Sequence, residues 1–254
     1  MFDLSGKIAL VVGGAGYLGS AICRAYAECH ARLVIADWNE ERLDALVKEL
    51  ERTGAQARAV CLDCTDSGRT AHLMQSIKAR EGSLDILVNA TYNRTNKSVE
   101  DLTEEEFNRA NEVNITSMFT LARQATELLQ SGSSIILFST MYGTISPNPS
   151  DYQLPVVPNP IEYGAGKAAI NQMTRYMASW LGPRAIRVNA IAPGSFPWNV
   201  KDNEAFMEKL RAKSVLHRVG IQHEIAGAAV FLASDEASFV TGHILAVDGG
   251  STIW

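Results

Sequence analysis

The chain has 254 residues, 46% hydrophobic and 20% charged, enough to bury one sizeable core and ordinary for one α/β domain. Its net charge of −5 argues against nucleic acid or an anionic membrane as the main partner; bound phosphates would be held by backbone amides rather than by a basic field. The N-terminus runs straight into a strand without the pattern of a secretory leader, no apolar run reaches membrane-spanning length, and four cysteines do not make a disulfide scaffold. A reducing, cytoplasmic compartment is expected. Cys61 and Cys64 form a lone Cys-x-x-Cys, read as two small apolar fillers at a strand end rather than as a metal or redox pair.

Ile8 to Val12 is a continuous apolar run, as expected of a strand buried on both faces of a parallel sheet. Gly13-Gly14-Ala15-Gly16-Tyr17-Leu18-Gly19 follows, then a helical pattern through Ala27. Gly14-x-Gly16-x-x-Gly19 in this strand–turn–helix setting fits a dinucleotide site. Its glycines let the backbone approach a pyrophosphate, and the helix start offers free N–H groups. Arg32 to Ala36 reads as the second strand, with Asp37 at its end. A carboxylate there accepts from ribose hydroxyls and repels a 2′-phosphate, so NAD is expected over NADP. The competing reading makes Asp37 a cap for a helix beginning near Glu40.

Farther along, Leu43 to Leu50 and Thr70 to Ala79 read as helices. Ala57 to Leu62 and Leu84 to Val88 read as strands, ending in Asp63 and Asn89. This alternation predicts a single α/β domain spanning 1–254, a doubly wound parallel sheet with helices on both faces. Its sites lie outside the carboxyl ends of the strands. Glu104 to Gln130 reads as one long helical stretch, Ser134 to Phe138 as the fifth strand, and 144–161 as an irregular segment carrying five prolines. Prolines exclude helix or central strand there, and the segment is read as a wall facing substrate. Ile186 to Ala192 and Ile244 to Val247 are the last strands. Helices are expected over Glu204 to Ala212 and Ile225 to Leu232, with a second substrate loop near 194–214.

Tyr163 and Lys167 are four apart at the head of a helical run to Leu181, and so share a face. A free tyrosine hydroxyl, with a pKa near ~10, is a poor base at neutral pH. A neighbouring ammonium lowers that pKa, and a tuned tyrosine can exchange a proton with an alcohol or ketone.

With these motifs in this order, the chain resembles a short-chain dehydrogenase/reductase from Asp3 to Gly250. The resemblance implies a Rossmann-type fold and hydride transfer between a nicotinamide and a secondary alcohol or ketone. Tyr163 would be the acid/base, and Lys167 would bind the nicotinamide ribose and depress the tyrosine pKa. Asn114 would hold a relay water, and Thr140 or Ser139 would polarise the substrate oxygen. The implied cofactor contacts are Gly13, Gly16, Tyr17, Leu18, Gly19, Asp37, Trp38, Asp63, Cys64, Asn89, Ala90, Thr91, Tyr163, Lys167, Pro193, Gly194 and Phe196. Substrate would meet Thr140, Tyr142, Tyr163 and Trp198. No metal is expected.

Departures from the family pattern fall at Val12-Gly13, where a Thr-Gly is usual, at Tyr17 and at Ala90-Thr91-Tyr92. The serine position, three before Gly143, is Thr140. The long loop and the tail ending in Trp254 are similar to a subgroup acting on sugars and sugar acids, such as gluconate 5-dehydrogenases and flagellin-glycan oxidoreductases. Asn93, Asn96, Asn148, Asp151, Tyr152, Gln153, Trp198 and Asn199 suit a polyol better than an acyl chain. Alternatives are a 3-ketoacyl or general ketone reductase, an epimerase with the same glycine spacing, and a catalytically silent NAD-binding protein. The family resemblance also implies a homotetramer.

Overall fold

Seven strands form one parallel sheet: β1 (Ile8–Val12), β2 (Arg32–Asp37), β3 (Ala57–Cys61), β4 (Leu84–Asn89), β5 (Leu129–Phe138), β6 (Arg187–Pro193) and β7 (Ile244–Val247). Their order is β3-β2-β1-β4-β5-β6-β7, and every neighbouring pair runs parallel. The computed structural model describes residues 1–152, 157–198 and 203–253. Gln153, Asn199 and Trp254 therefore lie outside the described residues.

β1 shows why the sheet is covered on both sides. Ile8, Leu10 and Val12 point into one apolar layer, while Ala9 and Val11 point into the other. Strand side chains alternate between faces, so an unbroken apolar run requires helices on each. One layer is closed by α1 (Tyr17–Glu28), α2 (Glu40–Arg52) and α8 (Gln222–Ala233), through Ile22, Tyr26, Leu43, Leu46, Ile225 and Val230. The other is closed by α3 (Ser67–Arg80), α5 (Ser117–Ala125) and α6 (Ile161–Leu181), through Leu73, Ile77, Met118, Leu121, Ile170 and Met177. Burying each such large aliphatic side chain stabilises the fold by roughly 1.5–3 kcal/mol. The short helices α4 (Glu104–Asn111) and α7 (Glu204–Ala212) lie on the connections.

Local chemistry sets the helix starts. Asn39 caps α2, accepting from the Arg42 N–H at 3.0 Å, with Glu40 and Glu41 against the positive end of the dipole. Asp66 caps α3 through the Gly68 and Arg69 N–H groups. Thr103 and Glu106 close a capping box on α4.

Two expectations need correction. The stretch 104–130 is not one helix. A π-helical turn, Glu112–Thr116, separates α4 from α5, and β5 already begins at Leu129. Helical periodicity hides a one-residue insertion of this kind. The polar Gln130-Ser131-Gly132 imitates a turn, yet it runs as strand, with Gly132 at φ +88° and a register shift where β4 meets β5. Among its described residues, the proline-rich segment has a short 3-10 turn, Pro149–Asp151, and it ends where Pro160 begins α6.

The topology also places the site. β1 has β2 on one side and β4 on the other, so the crossovers diverge there and open a crevice beyond the strand ends. Val12, Asp37, Asn89, Phe138 and Pro193 all close their strands at that edge.

Candidate active site

The crevice begins at the glycine turn. Gly13 has φ +76°, and a β-carbon on it would stand 3.0 Å from the Ala90 carbonyl carbon and 3.1 Å from the Thr91 nitrogen. A β-carbon on Gly19 would fall 2.1 Å from the Gly13 oxygen. Glycine at 19 is thus what lets α1 pack against the turn. α1 starts after Gly16, which makes no side-chain cap, so Tyr17, Leu18 and Gly19 present the unsatisfied amides of a helix N-terminus.

Asp37 is buried at the end of β2. Its Oδ2 accepts from the Ala15 N–H at 3.0 Å and its Oδ1 from the Asn39 N–H at 3.0 Å. It is therefore not the cap of α2. It ties the glycine turn to β2. Trp38, next along, is exposed.

Asp63 is exposed, and the Thr65 hydroxyl and N–H, at 2.7 and 2.9 Å, hold its carboxyl below the usual range. Cys64 is half-buried, and burial raises its thiol pKa. Cys61 is exposed rather than a core filler, which corrects the reading of this pair. Among the described residues, no group of His, Cys, Asp or Glu is placed to hold a metal.

At the end of β4, Asn89 is fully buried. Its Oδ1 accepts from the Thr91 hydroxyl at 2.8 Å, and its Nδ2 has no partner. Gly194 lies against Asp248, where a β-carbon would come within 2.6 Å of Cα, and its N–H donates to the Val247 carbonyl at 3.0 Å. Pro193 ends β6, and the Phe196 ring packs onto Gly220. Trp198 stacks on Tyr17, with ring centroids 6.4 Å apart. A positive-φ glycine cradle, a bare helix N-terminus, a carboxylate at the end of β2 and an orphaned amide donor at Asn89 together fit a dinucleotide.

The second half of the crevice is built by α6 and the end of β5. Lys167 is fully buried, and its Nζ donates to the Phe138 carbonyl at 2.8 Å and the Thr91 carbonyl at 3.2 Å. Burial pulls its pKa down to about 7. Tyr163 is half-buried one turn earlier, with Lys167 Nζ 5.9 Å from its ring centroid. Burial pushes its hydroxyl up to about 12, opposed by a hydrogen bond from Thr140 and by the charge of Arg94. Removal from water outweighs the lowering influences on the Tyr163 hydroxyl here. The two carbonyls take two of the three N–H donors of Lys167.

The two hydroxyls after β5 point in different directions. Ser139 Oγ donates to the Lys167 carbonyl on α6 at 3.2 Å. Thr140 reaches the Tyr163 hydroxyl, and its Oγ1 lies 3.4 Å from the Pro193 carbonyl. Thr140, not Ser139, thus faces the tyrosine. Asn114 is fully buried in the π turn and grips Asn93 at both ends, with Nδ2 to the carbonyl at 2.8 Å and Oδ1 from the N–H at 2.9 Å. Its side chain fastens that loop to the π turn with one of its two N–H donors and one lone pair.

Tyr92 puts its ring edge-on to Tyr163, with centroids 6.2 Å apart. Tyr142 is buried and pairs with the Tyr152 hydroxyl at 2.7 Å. Burial pushes its pKa well above the ordinary tyrosine value. Asn96 is exposed, and Asn148 caps the 3-10 turn.

Three residues of the wall escaped sequence reading. Asn159 hydrogen-bonds to the Tyr142 hydroxyl and accepts from Arg94 Nη1 at 2.9 Å. Glu162 is fully buried, and its Oε1 accepts from the Thr95 N–H and hydroxyl at 2.9 and 2.8 Å. A charged residue one position before Tyr163 was the available signal for Glu162, since helix geometry turns it to another face. Arg94 and Asn159 carried no motif.

A family model described as enoyl-(acyl carrier protein) reductase matches residues 14–252. The 3-oxoacyl-(acyl-carrier-protein) reductase of Thermotoga maritima is 32% identical, covering 98% of this chain and 99% of the relative. A cyclopentanol dehydrogenase of Comamonas is 33% identical, covering 99% of each. Among solved structures, a putative gluconate dehydrogenase from Agrobacterium tumefaciens superposes with a TM-score of 0.89 at 27% identity, over 99% of this chain and 98% of that one.

Proposed function

The chain belongs to the short-chain dehydrogenase/reductase family, an oxidoreductase working on alcohols and ketones with a nicotinamide cofactor, and from that premise we propose that it uses NAD to interconvert a secondary alcohol and ketone of a polar, carbohydrate-like substrate. The observation that carries the chemistry is the Thr140–Tyr163 hydroxyl pair beside Lys167 at the mouth of the crevice. When bound, the nicotinamide supplies the acceptor or donor of the hydride. Tyr163 gives its proton to the ketone oxygen, or takes it from the alcohol. Thr140 holds that same oxygen and orients the tyrosine hydroxyl. Lys167 sits where it can hold the nicotinamide ribose and add a positive charge behind the tyrosine.

The carboxylate of Asp37 favours NAD, because a 2′-phosphate would meet an anion there. The carbohydrate reading is supported by the chain Arg94–Asn159–Tyr142–Tyr152 along the wall, a polar row where an acyl chain would want an apolar slot. The likeness to the putative gluconate dehydrogenase points the same way. A second reading, reduction of a 3-ketoacyl thioester, has the Thermotoga relative in its favour. We also propose a homotetramer, since Phe119 on α5, Tyr176 and Trp180 on α6 and Phe239 before β7 expose large apolar rings.

A screen of nicotinamide absorbance tests this. It uses NAD and NADP in parallel against sugars, sugar acids, polyols, apolar cyclic alcohols and a 3-ketoacyl thioester. Turnover of carbohydrates with NAD is the expected result. Turnover confined to the thioester or to apolar alcohols would overturn the carbohydrate reading.

A further inference from the structure

We propose that Arg94 is the specificity residue for an anionic group, a carboxylate or phosphate, on the substrate, an assignment that rests on the carbohydrate reading above. Arg94 lies in the loop after β4, between two residues that are held in place from opposite sides. Asn93 is clamped at its N–H and carbonyl by Asn114. Thr95 donates twice to the fully buried Glu162. These bonds anchor the loop on both sides of Arg94, two residues beyond the Tyr92 ring that abuts Tyr163.

Its guanidinium is only partly used. Nη1 donates to Asn159 Oδ1 at 2.9 Å, and among the described residues no carboxylate forms an ion pair with it. Glu162, the nearest acid on that wall in sequence, keeps Oε1 for Thr95, and its buried Oε2 has no hydrogen-bond partner. An arginine carries five N–H donors in a planar fork suited to carboxylate or phosphate. A half-buried guanidinium with one neutral partner therefore has donors left to recognise an anion, in a protein whose net charge of −5 would otherwise repel one. The Arg94 charge also bears on the Tyr163 hydroxyl, which places the guanidinium within electrostatic range of the proton-transfer site. A substrate held there would present its anionic end to Arg94 and its carbinol to Thr140 and Tyr163.

Hydrogen bonds to charged groups contribute enough that losing them costs about 10- to 100-fold in affinity. The test is kcat/KM for three six-carbon probes: an aldonate, a hexose phosphate, and the uncharged hexitol. They are compared in the wild type, Arg94→Met and Arg94→Lys. The wild type should prefer one of the anionic probes over the hexitol by about tenfold or more. Its KM for that probe should rise with ionic strength. The preference should collapse toward unity in Arg94→Met and partly return in Arg94→Lys. Which anionic probe leads separates carboxylate from phosphate. Hexitol turned over as well as both anions by the wild type, or a preference unchanged in Arg94→Met, would overturn the assignment of Arg94 and leave the carbohydrate reading standing. Turnover of none of the three beside brisk turnover of an apolar alcohol would overturn both. If the methionine variant does not fold, Arg94→Lys decides: a weakened anion preference supports the assignment, and a preference equal to wild type overturns it.

Discussion

Lys167 offers a prediction that separates burial from catalysis. Its side chain is 1% exposed, and its ammonium donates to the Phe138 and Thr91 carbonyls. Its pKa falls from 10.5 to about 7 in the folded protein. The unfolded chain therefore holds the proton up to its ordinary pKa, while the folded protein releases it from about pH 7. Stability rises with pH across that window, because the unfolded state binds more protons there. Below pH 7 both states are protonated and the full burial cost of roughly 4–5 kcal/mol is present; above the unfolded pKa it is gone. Lys167→Met removes the charge and keeps the volume. The two carbonyls it leaves unpaired cost about 1–3 kcal/mol each, and that loss does not depend on pH. The difference in stability between variant and wild type should therefore shift by about 3 kcal/mol between roughly pH 6 and pH 9.5, in favour of the variant at the lower pH. For a chain of this size that is a relative displacement in Tm of about 6–12 °C. Differential scanning calorimetry of both proteins without nucleotide measures it, since titrations elsewhere cancel. A Tm difference that stays constant over this range would refute the reasoning. It would mean that the lysine titrates as though in water.

Asp37→Ala removes an anion from the place where a 2′-phosphate would lie. The ratio of NADP to NAD affinity, read by fluorescence titration, should rise by about tenfold or more; an unchanged ratio would leave Asp37 only its structural bonds to Ala15 and Asn39. Gly19→Ala puts a methyl 2.1 Å from the Gly13 oxygen and should destabilise the fold by about 1–3 kcal/mol, weakening nucleotide binding as α1 moves off the turn. Wild-type denaturation midpoint and affinity in that variant would contradict the packing. Thr140→Ala should lower kcat by about 10²–10³-fold, whereas Ser139→Ala, which loses only its bond to α6, should cost stability and little turnover. Equal losses in the two variants would contradict the orientation of these hydroxyls.

What sequence reading recovers here follows from range. β1, the glycine turn and α1 are local patterns, and the Tyr163–Lys167 spacing is helical geometry, so each was legible in the residues alone. Glu204–Ala212 and Ile244–Val247 coincide with expectation to the residue. The π turn at Glu112–Thr116 was not legible, because one extra residue leaves the apolar repeat nearly unchanged. The start of β5 was hidden by Gly132 and its polar neighbours, whose strand state comes from pairing with β4. At the site, the identity of the groups was accessible, but their commitments were not. That Asn114 grips Asn93, that Lys167 donates to two carbonyls, and that Asp37 braces Ala15 are tertiary facts. The polar wall of Arg94 and Asn159 brings together residues 65 apart in the chain, a pairing with no local signature.

The claim on which the account turns is that Tyr163 exchanges the proton. Tyr163→Phe keeps the ring, its edge contact with Tyr92 and its place on α6, and removes only the hydroxyl. The measurement is nicotinamide absorbance in steady-state turnover, paired with NAD binding by calorimetry on the same preparation. The account expects NAD affinity within about twofold of wild type and turnover lower by at least 10²–10⁴-fold. Turnover within about tenfold of wild type, with binding intact, would contradict it and place the proton transfer on another group.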